Sequence, residues 1–210
     1  MSRPLRLTAL ISGGGRTVCN LHDRIVHGQL DAEISLVIAS REDCSGIKRA
    51  RDAGLEVRVP DHGNYDDDLA SLLDQAAPDL ICLCGYLRKL RIDTRWSDRI
   101  INIHPSLLPR HGGKGMYGDR VHRAVLDADE TVSGCTVHFV DDHYDNGPVL
   151  LQRACLVNPE DTVDQLADRV FKEECNALPE AIQLLAEQRV KIVDQRVEIL
   201  PGITMNQTNL

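Results

Sequence analysis

The sequence has no apolar run approaching the roughly 20 residues a bilayer-crossing helix needs. No apolar leader segment with a cleavage site follows Met1-Ser2-Arg3-Pro4-Leu5-Arg6. A membrane role is therefore not expected, and a cytoplasmic location is. Basic residues are in deficit, with 24 Lys and Arg against 32 Asp and Glu for a net charge of −8. Nucleic-acid binding usually shows as a basic balance, so no nucleic-acid partner is expected. No Cys-x-x-Cys pair occurs among the seven cysteines, Cys19, Cys44, Cys82, Cys84, Cys135, Cys155 and Cys175. An odd, unpaired set reads as reduced packing residues in a protein that needs no metal. Repeats, low-complexity tracts and Pro/Ser-rich linkers are also missing, so residues 1–210 are expected to form one domain. Residues 201–210 are expected to be a mobile tail.

What is present suits a globular enzyme-sized core. The 210 residues are 42% hydrophobic and 27% charged, and a chain of this length buries enough surface to fold without staples. The front half alternates strand and helix signals. Leu5 to Ile11, Ile34 to Ala39, Leu55 to Val59 and Leu80 to Cys84 read as strands. Between them, Val18, Leu21 and Ile25 fall at helical spacing, Ile47 to Ala53 reads as a helix stopped by Gly54, and Leu69, Leu72 and Leu73 mark a helix ending near Pro78. Near-continuous apolar strands alternating with helices predict an α/β fold with a doubly wound, mostly parallel sheet. After Ile100-Ile101-Asn102 the pattern changes. A Gly/Pro loop precedes a helix with Val121, Ala124 and Val125 inward. Two successive strands follow, Cys135 to Val140 and Val149 to Val157, which add antiparallel pairing in the C-terminal half. A long helix starts near Thr162 and is expected to be kinked or interrupted at Pro179. Lys191 to Val193 and Arg196 to Leu200 read as a terminal hairpin.

Three segments carry residues suited to chemistry. Ser12-Gly13-Gly14-Gly15-Arg16-Thr17 lies between the first strand and the first helix, where glycines let backbone N–H groups approach an anion. It has neither the dinucleotide nor the P-loop spacing, so a monophosphate suits it better, and a plain tight turn is the alternative. Asn102 and His104 stand two apart at a strand end and so share a side. Pro105 ends the ladder there and is expected to leave the pair at the sheet's edge facing a cleft, although a structural Asn and His would also explain it. Asp141-Asp142-His143-Tyr144-Asp145-Asn146-Gly147-Pro148 is a polar loop between two strong strands. A carboxylate from it near His104 would favour and orient the imidazolium, while an ordinary acidic turn is the alternative.

Asn102-Ile103-His104-Pro105-Ser106-Leu107-Leu108-Pro109, with Asp145-x-Gly147-Pro148-Val149 downstream, resembles the signature of the folate-dependent formyltransferases, and the likeness runs from about Leu5 to Ala186. The resemblance implies a formyltransferase fold. Residues 1–100 would bind a phosphoribosyl amine, and residues 101–200 would carry catalysis and folate binding. It implies formyl transfer from 10-formyltetrahydrofolate, as co-substrate, to glycinamide ribonucleotide in purine synthesis, by a monomer or homodimer without metal. Asn102, His104 and Asp145 would be catalytic. Ser12, Gly13, Gly14, Gly15, Arg16 and Thr17 would hold the substrate phosphate, and Glu174 would contact its amine side. Leu87, Arg88, Leu90, Val140, Asp141, Asp142, His143 and Tyr144 would bind the folate.

The chain departs from the family pattern in three places. Gly13-Gly14-Gly15-Arg16-Thr17 replaces Gly-Asn-Gly-Ser-Asn, so Arg16 would offset two lost side-chain contacts or mark a different substrate. Arg110 to Gly118 is long and Gly-rich, which suggests a loop over the site from which Lys114 could reach a phosphate. Phe171 stands at a position that is polar in many members. A formyltetrahydrofolate hydrolase, with water in place of the amine, is an alternative that usually carries an extra N-terminal domain, and here the catalytic unit starts at Leu5. A transfer-RNA formyltransferase would need a further basic domain. A sugar-nucleotide formyltransferase is an alternative that the altered phosphate loop keeps open, and a non-catalytic phosphosugar- or folate-binding protein weighs less.

Overall fold

The computed structural model describes residues 3–202. Most of the expected tail, residues 203–210, lies outside them. Seven strands form one sheet: β1 (Leu5–Ile11), β2 (Ala32–Ala39), β3 (Val57–Arg58), β4 (Leu80–Leu83), β5 (Ile100–His104), β6 (Val132–Phe139) and β7 (Val149–Leu156). Their order is β3-β2-β1-β4-β5-β6-β7. The first five run parallel, and β6 and β7 are antiparallel to their neighbours. Strand order reverses between β1 and β4, and in such sheets ligands sit beyond the strands' carboxyl ends at that point.

Alternation along each strand divides the core into two layers. Leu7, Ala9 and Ile11 of β1, Val37 and Ala39 of β2, and Ile101 and Ile103 of β5 join one cluster. Leu10, Leu36, Ile38, Ile81 and Ile100 join the other. Successive residues of a strand face opposite ways, so a sheet covered on both faces must be apolar almost throughout. Helices α1 (Arg16–Val26), α2 (Gly46–Asp52) and α5 (Val163–Ala186) pack on the first layer. Helix α3 (Tyr65–Ala76) covers the second. A short α4 (Asp119–Asp127) follows the loop after β5, and β8 (Val190–Val193) pairs with β9 (Arg196–Ile199) as the expected hairpin.

Two expectations need correction. The strand expected over Leu55 to Val59 shrinks to Val57–Arg58, because the Leu55 N–H is used to close α2, donating to the Ala50 carbonyl at 3.0 Å. The long helix is not interrupted at Pro179 and runs continuously from Val163 to Ala186. Proline supplies no N–H for the carbonyl four residues back, but that carbonyl, of Cys175, is taken up by α1. Asn20 Nδ2 donates to it at 3.0 Å and the Arg24 guanidinium at 3.3 Å. The start of α5 is fixed by Thr162 and Gln165, whose side chains reciprocally accept each other's backbone N–H.

All seven cysteines are free, and Cys44, Cys82, Cys84 and Cys135 are buried. No helix among the described residues is long and apolar enough to cross a membrane.

Candidate active site

The chemistry-bearing segments converge at the carboxyl ends of β1, β4 and β5. The glycine loop after β1 is anchored to α2. Gly13 accepts the Gly46 N–H at 3.0 Å and the Cys44 thiol at 3.1 Å, and Gly14 accepts the Arg49 guanidinium. Gly15 takes a left-handed φ of 70° at the N-cap of α1. A side chain there would press on the Gly46 backbone at 3.1 Å, so this position requires glycine on two counts. Ser12 is buried, and its hydroxyl accepts the Leu87 N–H at 2.9 Å. These contacts leave Arg16 and Thr17 as the part of the loop that faces a cleft. Arg16 lies 3.8 Å above the Phe171 ring and 3.4 Å from Asp168.

Asn102 and His104 end β5. The expectation of a sheet edge is corrected here, since β5 lies between β4 and β6 and only its carboxyl end is open. Asn102 faces His138 directly across the ladder to β6. His138 Nδ1 donates to the Phe139 carbonyl at 2.8 Å, so its Nε2 accepts from Asn102 Nδ2 at 3.1 Å. His104 is 3% exposed, and its Nε2 donates to the His111 carbonyl at 2.9 Å. Its Nδ1 stands 3.5 Å from Asp145 Oδ2.

Asp145 holds that place by local geometry. It takes a left-handed φ of 53°, a conformation aspartate tolerates. Two residues on, Gly147 sits against the Phe139 carbonyl with no room for a side chain. Asp145 Oδ2 accepts the Gly113 N–H at 2.9 Å, and Oδ1 is 3.6 Å from His138 Nε2. The loop from Arg110 to Gly118 thus grips the site through the His111 carbonyl and the Gly113 amide.

Charge follows from these surroundings. Burial pushes the Asp145 carboxyl up, but His138, His104 and the Gly113 N–H outweigh it and leave its pKa below the usual range. Burial of His104 outweighs the pull of Asp145, so its pKa is lowered and the resting ring is neutral at pH 7. The expected preference for imidazolium is therefore reversed in the free protein: desolvation of a ring this deeply placed exceeds what one carboxylate 3.5 Å away returns. On α5, Glu174 is half-buried; burial raises its pKa to about 7 while Arg16 pulls it back.

Two clefts meet at this cluster. The first is lined by Asn102, His138 and Asp145, and by every residue expected for the folate: Leu87, Arg88, Leu90, Val140, Asp141, Asp142, His143 and Tyr144. Arg88 stacks on Tyr65 at 3.6 Å, and Tyr65 hydrogen-bonds Tyr86 at 2.8 Å beneath the cleft floor. The second takes in His104, Arg16, Thr17 and Glu174, with Met116, Tyr117 and Gly118 from the long loop. Leu87 lines both. Ser12, Gly13, Gly14, Gly15 and Lys114 do not line the second cleft. The sequence reading overlooked His138 and His122. His138 lies inside the strand over Cys135 to Val140, and His122 between Val121 and Arg123 in α4, and neither stands in a motif that sets it apart.

A doubly wound sheet with an Asn–His–Asp set between two clefts is the layout of an α/β enzyme that acts on small molecules. The chain belongs to the formyl transferase family, whose family model matches residues 5–182. It is a transferase. It is 35% identical over 207 residues to the chloroplastic phosphoribosylglycinamide formyltransferase of Arabidopsis thaliana, covering 94% of this chain and 71% of that protein. The trifunctional purine biosynthetic protein adenosine-3 of Gallus gallus is 36% identical over 90% of this chain, which spans 19% of that protein. Among solved structures, glycinamide ribonucleotide transformylase 1 from Symbiobacterium toebii superposes with a TM-score of 0.87 at 38% identity, covering 96% of both chains. A formyltetrahydrofolate deformylase from Pseudomonas syringae, 20% identical with a TM-score of 0.82, shares the fold.

Proposed function

We propose that this protein transfers a formyl group from 10-formyltetrahydrofolate to the amine of glycinamide ribonucleotide, as one domain acting in a reducing, cytoplasm-like compartment. The observation that carries this reading is the junction of the two clefts. Asn102 and Asp145 line one, His104 lines the other, and His104 and Asp145 stand 3.5 Å apart. A donor in the first cleft and an amine in the second would meet across that contact. The names of the relatives support the choice of substrates, and the free thiols fit the compartment.

The donor fits the first cleft by chemistry. Apolar Leu83, Leu87, Leu90 and Val140 suit a flat ring, and the polar loop from Asp141 to Asp145 supplies hydrogen-bonding groups to its edge. In the second cleft Arg16 and Thr17 would hold the phosphate beside the positive end of α1. Glu174 would take the glycinamide side.

Attack of a neutral amine on the formyl carbon creates an oxyanion and strands a proton on the attacking nitrogen. The Asn102 amide has a second N–H beyond the one given to His138, and that hydrogen would stabilise the oxyanion. The proton leaving the attacking amine would pass through water to His104 Nδ1, which carries none at rest, with Asp145 Oδ2 stabilising the cation that forms. The same proton would then pass through water to the leaving folate nitrogen as its bond to the formyl carbon breaks, which restores neutral His104. No nucleophilic side chain is required, because the substrate supplies the nucleophile. Holding both substrates in line supplies much of the remaining acceleration.

The test is to mix pure protein with 10-formyltetrahydrofolate and glycinamide ribonucleotide and follow deformylated folate by absorbance. Release that depends on the ribonucleotide is expected. Release without any amine would instead show a hydrolase. Donor binding without release would point the second cleft to another amine.

A further inference from the structure

The second cleft contains a polar side chain that the fold leaves unused. His122, in α4, is 5% exposed and forms part of the cleft wall. Its Nδ1 has no hydrogen-bond partner. Its inward neighbours on α4, Val121 and Val125, are apolar and fully packed, so a hydrocarbon ring would serve the packing equally well. An unpartnered buried ring nitrogen lowers stability in the free protein. Native structures seldom leave such a group unsatisfied without a reason, and a role in the site it lines is one such reason.

His122 lines the same cleft as His104 and Glu174, and the acidic group that acts on its ring is Asp119 at the start of its own helix. Burial outweighs Asp119 and holds the imidazole neutral at pH 7. A neutral imidazole offers one N–H and one lone pair. That combination suits an uncharged amide or amine, whereas a phosphate is better met by Arg16 and Thr17 further along the cleft.

We propose that His122 is a substrate-contacting residue of the second cleft, hydrogen-bonding the glycinamide portion of the phosphoribosyl amine beside His104. This rests on glycinamide ribonucleotide being the substrate. The contact would hold the amine at the mouth of the first cleft and would discriminate against phosphoribosyl compounds without the glycyl amide.

Steady-state kinetics with each substrate varied, together with thermal melts, test the assignment in wild type, His122→Phe and His122→Gln. Phenylalanine keeps the ring and removes the nitrogens. It is expected to raise KM for glycinamide ribonucleotide about tenfold, the equivalent of one hydrogen bond near 1.4 kcal/mol. KM for 10-formyltetrahydrofolate should be unchanged, kcat should stay within about threefold, and Tm should be equal or higher. Glutamine, which restores a donor and an acceptor, should return KM to within about threefold of wild type. A wild-type KM in His122→Phe would make His122 a packing residue and overturn the proposal. So would a lowered Tm with both KM values rising together. If the phenylalanine ring is not accommodated, His122→Leu is read by the same criteria. Wild-type protein without ribonucleotide-dependent turnover overturns the substrate reading and this inference with it, whereas an active wild type with an unaffected His122→Phe overturns the inference alone.

Discussion

The two clefts share Leu87 and meet at the cluster of Asn102, His104 and Asp145, yet they are built in opposite ways. The first is lined mainly by two continuous stretches, from Tyr86 to Leu90 and from Val140 to Asp145. The second is assembled from the start of α1, the turn after β4, the end of β5, the loop before α4, α4 itself and one face of α5. A cleft of continuous segments keeps its shape through local backbone geometry. A cleft of scattered segments depends on how helices pack, and α5 is tied to α1 by the Cys175 carbonyl and by Arg16 on Phe171. The first should therefore respond to changes within its loops, and the second to changes far along the chain.

The largest effect is expected where the clefts meet. Asp145→Asn and His104→Ala should each lower kcat by roughly 10³-fold, about 4 kcal/mol of transition-state stabilisation, with KM for both substrates changed only modestly. Steady-state kinetics decide this, and near-normal kcat in either variant would remove that residue from the chemistry. Gly147→Ala probes the same point from the first cleft alone. Its new Cβ would collide with the Phe139 carbonyl and shift the Asp145 loop. It should lower activity with 10-formyltetrahydrofolate while leaving equilibrium binding of the ribonucleotide in place, a difference that calorimetry with each ligand resolves.

Continuity also governs how much the sequence discloses. Leu80 to Cys84, with its unbroken apolar run, was legible as a core strand, and Asn102, His104 and Asp145 were legible as a set through the motif they belong to. The residues lining the first cleft lie close together in the chain, so a likeness to a family carries them over as a block. His138 was missed because nothing local distinguishes a histidine inside the Cys135 to Val140 strand from a packed one. Only the ladder that sets it opposite Asn102 shows its place. The shift of His104 was misread for a related reason: Asp145 can be inferred from a motif, but the depth of burial that outweighs it is a property of the packed fold. The continuity of α5 through Pro179 likewise depends on Asn20 and Arg24, more than 150 residues away in sequence.

Glu174 sharpens the contrast through pH. Its folded pKa of about 7 is above the ordinary carboxylate value, so the folded state favours the protonated form. Stability from this group is present below the unfolded pKa and is lost as pH rises through about 7. Glu174→Gln should therefore stabilise the free protein at pH 8 by up to about 3 kcal/mol, discounted for partial exposure, and should give no gain near pH 4. Urea denaturation at the two pH values checks both limits. The same variant is expected to weaken ribonucleotide binding, because stability is exchanged for a charge in the cleft.

Arg16→Ala should act on one cleft only. The guanidinium is held by Phe171 and by an exposed pair with Asp168, whose stabilising contribution is small. Removing it should raise KM for the ribonucleotide about tenfold with kcat nearly unchanged, as loss of one charge-assisted contact requires. An unchanged KM would mean that the helix N-terminus and Thr17 hold the phosphate without it.

The smallest effect tests whether the second cleft depends on α5 as a whole or only on its middle. Thr162 caps that helix, and its hydroxyl accepts the Gln165 N–H at 3.3 Å while Gln165 accepts the Thr162 N–H at 2.8 Å. Thr162→Ala removes the first of these bonds and should cost about 1 kcal/mol. Fraying should stay within the first turn, because Leu166 and Val170 are fully buried and lock the next two turns to the sheet. Phe171 and Glu174 lie beyond that lock. KM for the ribonucleotide should then match wild type even as the urea midpoint falls. A rise in KM alongside the lost stability would show that the cleft wall moves with the helix end, and that the scattered construction of this cleft extends to the cap.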